Sequence, residues 1–431
     1  MKTLIVRFVI LAAAFLAIVA YVDHSGASQQ NEQSYHLIYL DTLDGTTSAG
    51  ISINDTGLVA GYSTQPDATM HATIWQNEVL FDLGTQGGLH SAVLWPAKNN
   101  KGLISGVTET DVPDTLLENW SCSFFFPSPV THNQCLGFVW QDGVMDTLPT
   151  LGGTHGFAAG ANNRGQIVGW AENTFHDPAC APPQVLQFQA VIWGPEDDQI
   201  VQLPPLPGDT VASATAINDN GEVVGISGIC DQAVGRFSAI HAVRWENGEP
   251  EDLTNIGGLA WNTATAINQQ GDIVGFVNIS GVTPDGFRPQ AFMWTKKDGL
   301  QPLPILPGDT RSLAYSINNH GQVVGESRRP GPRRAFLYHK GVMADLNTLV
   351  PPGSLPLVFA NDINDRGEIT GQAFDSTTGE FVPFLAIPPV GGSDAAIAAA
   401  QANGNEAPEF VLPEGIRKQI PGHVFASSEL E

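Results

Sequence analysis

The sequence predicts an all-β protein, a seven-bladed β-propeller with four antiparallel strands per blade, closed by the N-terminal strand completing the last blade. Three observations predict it. A short phrase recurs seven times, the spacing between copies suits one blade each, and an orphan strand at the start is matched by a missing strand at the end.

The phrase is a small or apolar residue, often Ile, followed by Asn-x-x-Gly, an apolar pair and a second Gly. Its Asn residues are Asn54, Asn99, Asn162, Asn218, Asn268, Asn318 and Asn364, separated by 45, 63, 56, 50, 50 and 46 residues. In the second copy Lys98 stands where Ile is expected. Asn-x-x-Gly reads as a tight hairpin between strands A and B: Gly supplies positive φ and the Asn side chain bonds back to the turn backbone. Strand B is the Gly-x-Val-Val-Gly run. Strand C carries Ala-x-x-aromatic, as in residues 72–75, 190–193, 242–245 and 291–294, and its repeated Trp reads as blade core. Strand D carries Asp-Leu or Leu-Pro patterns, whose prolines suit an outer edge. A Gly-rich link then feeds the next copy.

The ends support closure. Residues 36–43 look like a strand D with no blade of its own, while the last copy ends after strand C near Ile387. Pairing the two removes both exposed edges. The propeller therefore spans residues 35–387. Residues 388–431 break the pattern and read as a flexible tail, Ala-rich over 394–402, where two turns of helix are possible.

Residues 1–27 read as a secretory signal. Lys2 and Arg7 precede an apolar run over 8–22, and Ser25, Gly26 and Ala27 offer a cleavage site. The run is short for a membrane span, so membrane association is expected only if this segment stays uncleaved as an anchor. The formal net charge of −25 excludes a nucleic-acid or anionic-lipid partner by repulsion. A secreted or periplasmic monomer is the expected state.

The repeat resembles the HAF family of probable extracellular repeat proteins, named for a His-Ala-Phe motif. The matching positions here are His71-Ala72-Thr73, Gln189-Ala190-Val191, His241-Ala242-Val243, Gln290-Ala291-Phe292 and Arg334-Ala335-Phe336. None spells the motif in full; the wider pattern over residues 35–387 carries the resemblance. It implies export and a repeat fold, and brings no activity with it.

Strand order places A–B and C–D turns on one face and B–C and D–A loops on the other. Length variation sits in the B–C loops: about thirty residues between Val107 and Leu136, then shorter insertions at 170–188 and 226–240. All four cysteines lie there, which predicts the disulfides Cys122–Cys135 and Cys180–Cys230. Long loops on a rigid scaffold are where binding usually resides. The candidate binding residues are the aromatics Trp120, Phe124, Phe125 and Phe126 in the longest loop, with an unidentified protein or glycan as partner. His90 and His155, on D–A links near the channel mouth, join them as a base or metal ligands. His71 and His241 share a slot with Gln189, Gln290 and Arg334, which suits hydrogen bonding better than metal ligation. Asp209 and Asp309 read as turn caps; calcium is the one ion such carboxylates suggest, and no other cofactor is expected. No linear catalytic motif occurs. The leading reading is a binding scaffold acting through the long-loop face. The alternative is a hydrolase or lyase of a saccharide or lactone, with its site at the channel mouth on that face.

Overall fold

In every copy of the repeated phrase the Asn side chain organises the turn. Asn218 Oδ1 accepts from the backbone N–H of Asn220 and of Glu222, both at 3.0 Å, and Gly221 turns the chain at φ 83°. The same pair of bonds forms at the other six copies, from Asn54 to Asn364. The second Gly of the phrase has a different cause. A Cβ on Gly225 would lie 2.1 Å from the Ser213 carbonyl oxygen, so strands A and B approach too closely there for any side chain.

The computed structural model describes residues 33–412, apart from 119, 128, 130, 181, 197–198, 231–237, 254–260, 280–287, 330–332 and 408–409. It contains seven four-stranded antiparallel sheets. Blade 1 spans residues 48–82, blade 2 87–147, blade 3 152–203, blade 4 211–252, blade 5 263–302 and blade 6 311–345. Blade 7 is made of residues 357–387 and the strand His36–Tyr39, which pairs with Glu380–Ile387 from His36 opposite Ile387 to Tyr39 opposite Phe384. The expected closure is therefore present.

Strand A of each blade is innermost and strand D outermost. Val211–Ile217 is buried throughout, whereas Val144–Thr147 is largely exposed. Strands A and B lose the usual in–out alternation because each face packs against another blade. The core is accordingly a chain of interfaces: Ala266, Val274 and Ala291 of blade 5 pack with Ala314, Val323 and Phe336 of blade 6. The strand C tryptophans belong to it, as expected. Trp75, Trp193 and Trp245 are buried, and each indole N–H donates to a carbonyl just after the preceding strand D: Asp41, Pro149 and Pro204.

Two closed circuits of hydrogen bonds run around the channel at the tight-turn face. In the first, each Asn Nδ2 donates to the backbone carbonyl of the corresponding Asn in the next blade: Asn54 to Asn99, Asn99 to Asn162, Asn162 to Asn218, Asn218 to Asn268, Asn268 to Asn318, Asn318 to Asn364, and Asn364 back to Asn54. In the second, the backbone N–H of the following residue donates to the side-chain oxygen of its counterpart one blade on. It runs through Asp55, Asn100, Asn163, Asp219, Gln269, Asn319, Asp365 and back to Asp55. Both circuits cross the seam between blades 7 and 1, so closure does not depend on the N-terminal strand alone.

One expectation needs correcting. The segment after Ile387 is not free where it is described. Gly392–Asn403 is a three-turn helix that buries Ser393, Ala396, Ile397 and Ala400. Its Ser393 hydroxyl lies 2.7 Å from that of Tyr35, and Asp394 pairs with His339 at 2.5 Å and Lys340 at 2.9 Å. Small residues every three or four positions let the helix sit close against blades 6 and 7. Residues 413–431 lie outside the described residues, as does the 1–27 signal segment. Among the described residues no helix is long and apolar enough to cross a membrane.

Tyr35 ties the seam to this helix and is fully buried. Tyr35→Ala should lower unfolding stability by about 3–5 kcal/mol, as for other buried aromatic truncations, read as a drop in the urea midpoint at unchanged slope.

Candidate functional site

The long-loop face is built by extending strands B and C of blades 2 and 3 beyond the sheet. Ile104–Pro113 and Asn133–Gln141 frame the longest loop, which carries the short helix Trp120–Phe125; Ile167–His176 and Leu186–Trp193 frame the next. Cys122–Cys135 ties the helix to its own strand C, and Cys180–Cys230 joins the loops of blades 3 and 4. Both pairings are those expected from loop position. Asp177 lies within ligand distance of Cys180 and Cys230, but both sulfurs are in the disulfide, so no thiolate is available to a metal there.

Beneath these loops lies a buried charged cluster. Glu118 Oε2 accepts from the backbone N–H of Val185 and of Leu186, linking the blade 2 loop to blade 3. Asp114 Oδ2 lies 3.5 Å from His155 Nε2. Glu172 accepts from the N–H of Thr154 at 3.1 Å and of His155 at 2.8 Å. Burial pushes the Glu172 carboxyl up to about 7, only partly offset by His155. Burial pulls the His155 imidazole down, but Asp114, Glu172 and Glu118 outweigh it and hold it above its usual range.

The sequence-nominated residues fall largely inside this structure, not on its surface. Phe125 and Phe126 are buried and Phe124 partly so. Phe125 stacks on Phe157 at 4.9 Å and Phe126 on His90 at 5.2 Å. An apolar face on so short a helix, tethered by Cys122, has the blade rim as its nearest place to bury. The Phe124–Phe126 run is thus not an exposed partner surface; the side chain of Trp120 lies outside what is described. His90 and His155 are also fully buried and sit in strand A, not on exposed links. His90 Nδ1 accepts from Met70 N–H and its Nε2 donates to the Pro129 carbonyl. His155 Nδ1 accepts from Cys135 N–H. Each histidine fastens its strand to the start of the preceding strand C.

The shared slot on strand C makes the hydrogen bonds expected of it. His71 reaches Asp82, His241 reaches Asp252, Gln189 the Thr210 carbonyl and Gln290 the Leu303 carbonyl. Arg334 pairs with Asp309 at 2.7 Å and Asp345 at 3.1 Å. Asp209 and Asp309 accept from the hydroxyls of Ser227 and Ser327, and the Arg334 cation already occupies Asp309.

Two features escaped the sequence reading. The first is at the channel. Trp95 is buried and its indole N–H donates to the Thr265 carbonyl of blade 5 at 3.0 Å, across the ring from blade 2. On the turn face a cavity of about 130 Å³ remains, lined by the second hydrogen-bond circuit and by Lys98. The exceptional Lys98 bonds Asp362 at 2.5 Å and the Ile363 carbonyl at 2.7 Å. Asp362 also accepts from Ser316, Ile53 and Ile363, so this buried charge is fully engaged.

The second is an arginine row at the loop end of blade 6. Register places Arg311 opposite Arg328, and Arg328 opposite Arg333, on strands A, B and C. Arg333 donates to Glu326 at 3.1 Å and lies 5.5 Å over the Phe359 ring. Burial, then the charges of Arg288 and Arg333, pull the Arg311 guanidinium below its usual range. The signal was present in composition: six of the chain's 19 Lys and Arg residues fall within 311–340.

A family profile described as "Protein of unknown function (DUF3466)" matches residues 210–406. No curated protein matches the chain. The chain is similar to several solved structures at low identity. Virginiamycin B lyase from Staphylococcus aureus is 11% identical with a TM-score of 0.46, covering 82% of this chain and 99% of that one. The polysaccharide lyase Uly1 is 10% identical with a TM-score of 0.42, covering 84% and 95%. A lectin of Aleuria aurantia is 8% identical with a TM-score of 0.35, covering 80% and 96%.

The buried cluster makes the loops pH-sensitive in a defined direction. Glu172 holds its proton more tightly folded than unfolded, so its contribution falls as pH rises from about 4.5 to about 7. The raised His155 acts the same way, its contribution being lost as pH rises through its folded value. Amide exchange at Val185 and Leu186, corrected for intrinsic rate, should therefore be slower at pH 5.5 than at pH 8. Glu172→Gln should remove most of that difference.

Proposed function

We propose that this chain is an exported binding propeller whose long-loop face engages a protein or glycan. One observation carries the reading: large apolar side chains stand exposed on successive B–C loops. Leu117 is 62% exposed on blade 2 and Phe175 56% on blade 3, with Val112, Ile229 and Ile279 also exposed on these loops. Exposed apolar side chains gathered on one face of a soluble domain mark interaction surfaces. Those on blades 2 to 4 stand on loops braced by two disulfides and by Glu118, so little ordering entropy is lost on binding there. The disulfides, the N-terminal sequence and the resemblance to HAF repeats support export.

The rival reading, a hydrolase or lyase at the channel mouth, has weaker support. His90 is buried with both ring nitrogens in backbone bonds, His155 is buried against Asp114 with its Nδ1 held by the Cys135 N–H, and the buried Trp95 reaches across the ring to the Thr265 carbonyl.

The test uses surface substitutions that leave the core intact. Leu117→Ser with Phe175→Ser should weaken binding to an array of neutral and acidic oligosaccharides, or to immobilised envelope proteins, by at least about tenfold. Val144→Ser, on an outer strand D, should leave it unchanged. Equal binding by both variants would remove the loop face from consideration.

A further inference from the structure

We propose that the arginine row of blade 6 is a carboxylate-binding site, with the Nε–Nη2 edge of Arg328 as its receptor. The site lies on the loop face and goes beyond the apolar surface that supports the reading above.

Arg328 ends strand B and is only 4% exposed. Its Nε and Nη2 have no hydrogen-bond partner among the described residues. A buried donor left unpaired costs about 1–3 kcal/mol, more when charged, so a guanidinium with two such donors calls for an explanation. The two atoms are adjacent on one edge of the planar group. They form the fork that grips a carboxylate through two parallel bonds. The third nitrogen, Nη1, lies 3.7 Å from Glu326, which is also held by Arg333.

The surroundings favour an anion from outside. Among the described residues the guanidiniums of Arg311, Arg328 and Arg333 lie near the one carboxylate of Glu326, and Arg288 of blade 5 adds a further cation near Arg311. Burial pulls the Arg328 guanidinium down to about 10 despite Glu326, so its charge is under-compensated as it stands. Arg311 and Arg333, its cross-strand neighbours, are part-exposed, and Arg288 is exposed. The chain as a whole carries 44 acidic against 19 basic residues and repels anions, which makes this cluster of cations stand out as a place to hold one.

Isothermal titration of the full chain with sodium glucuronate and sodium acetate tests this, with glucose and sodium sulfate as comparators at matched ionic strength. Saturable binding of both carboxylates, and none of glucose, is expected. Arg328→Lys keeps the charge but removes the fork, and should weaken carboxylate binding at least tenfold. If that variant fails to fold, the part-exposed Arg311→Gln gives the same reading with a smaller loss. No carboxylate binding, a preference for sulfate, or an unaltered affinity in Arg328→Lys would overturn the proposal. The Leu117→Ser, Phe175→Ser variant should retain carboxylate binding, which separates failure of this site from failure of the apolar loop surface.

Discussion

The structure depends on one side chain used at both ends. Each repeated Asn accepts two turn amides through Oδ1 and donates through Nδ2 to the next blade. Local turn chemistry and ring closure thus share an amide, and no other residue of that length offers acceptor and donor so placed. Asp would keep the turn and lose the link; Ser or Ala would lose both. Because the last Asn returns to the first, seven modest bonds become a closed circuit, which the following residues double.

This constraint divides the molecule. The turn face is uniform because every blade must meet the same geometric demand, and it is held by bonds that leave its polar atoms occupied. The loop face carries no such demand, so insertions collect there. Those insertions are secured by other means: two disulfides, the reach of Glu118 to Val185 and Leu186, and aromatic packing beneath them. They present apolar side chains outward on blades 2 and 3, while the strand ends of blade 6 bring part-exposed Arg311 and Arg333 to the same face, in a protein whose overall charge is strongly negative.

The fold was legible because its signals are local and repeated. A turn requires Gly at one position, a close strand approach requires it at another, and an orphan strand reveals its partner by counting. The inter-blade role of the Asn amide was not legible, since a turn residue looks the same whether or not its far end reaches a neighbour. Lys98 was visible as an exception, but its meaning depends on Asp362, 264 residues away. The site was read less well. Phe124–Phe126 and the histidines were chosen for residue type and loop position, and burial decides otherwise. The arginine row needs register: Arg311, Arg328 and Arg333 are neighbours only once three strands are paired.

The central claim is that the Asn amides hold the ring closed, and Asn99 tests it most directly, because its Nδ2 has a single partner, the Asn162 carbonyl at 2.6 Å. Asn99→Asp keeps the Oδ1 bonds to Lys101 and Leu103 and removes only the donor. Urea unfolding of this variant should show a stability loss of about 1–3 kcal/mol in a transition of unchanged slope. A variant as stable as the parent chain would contradict the account.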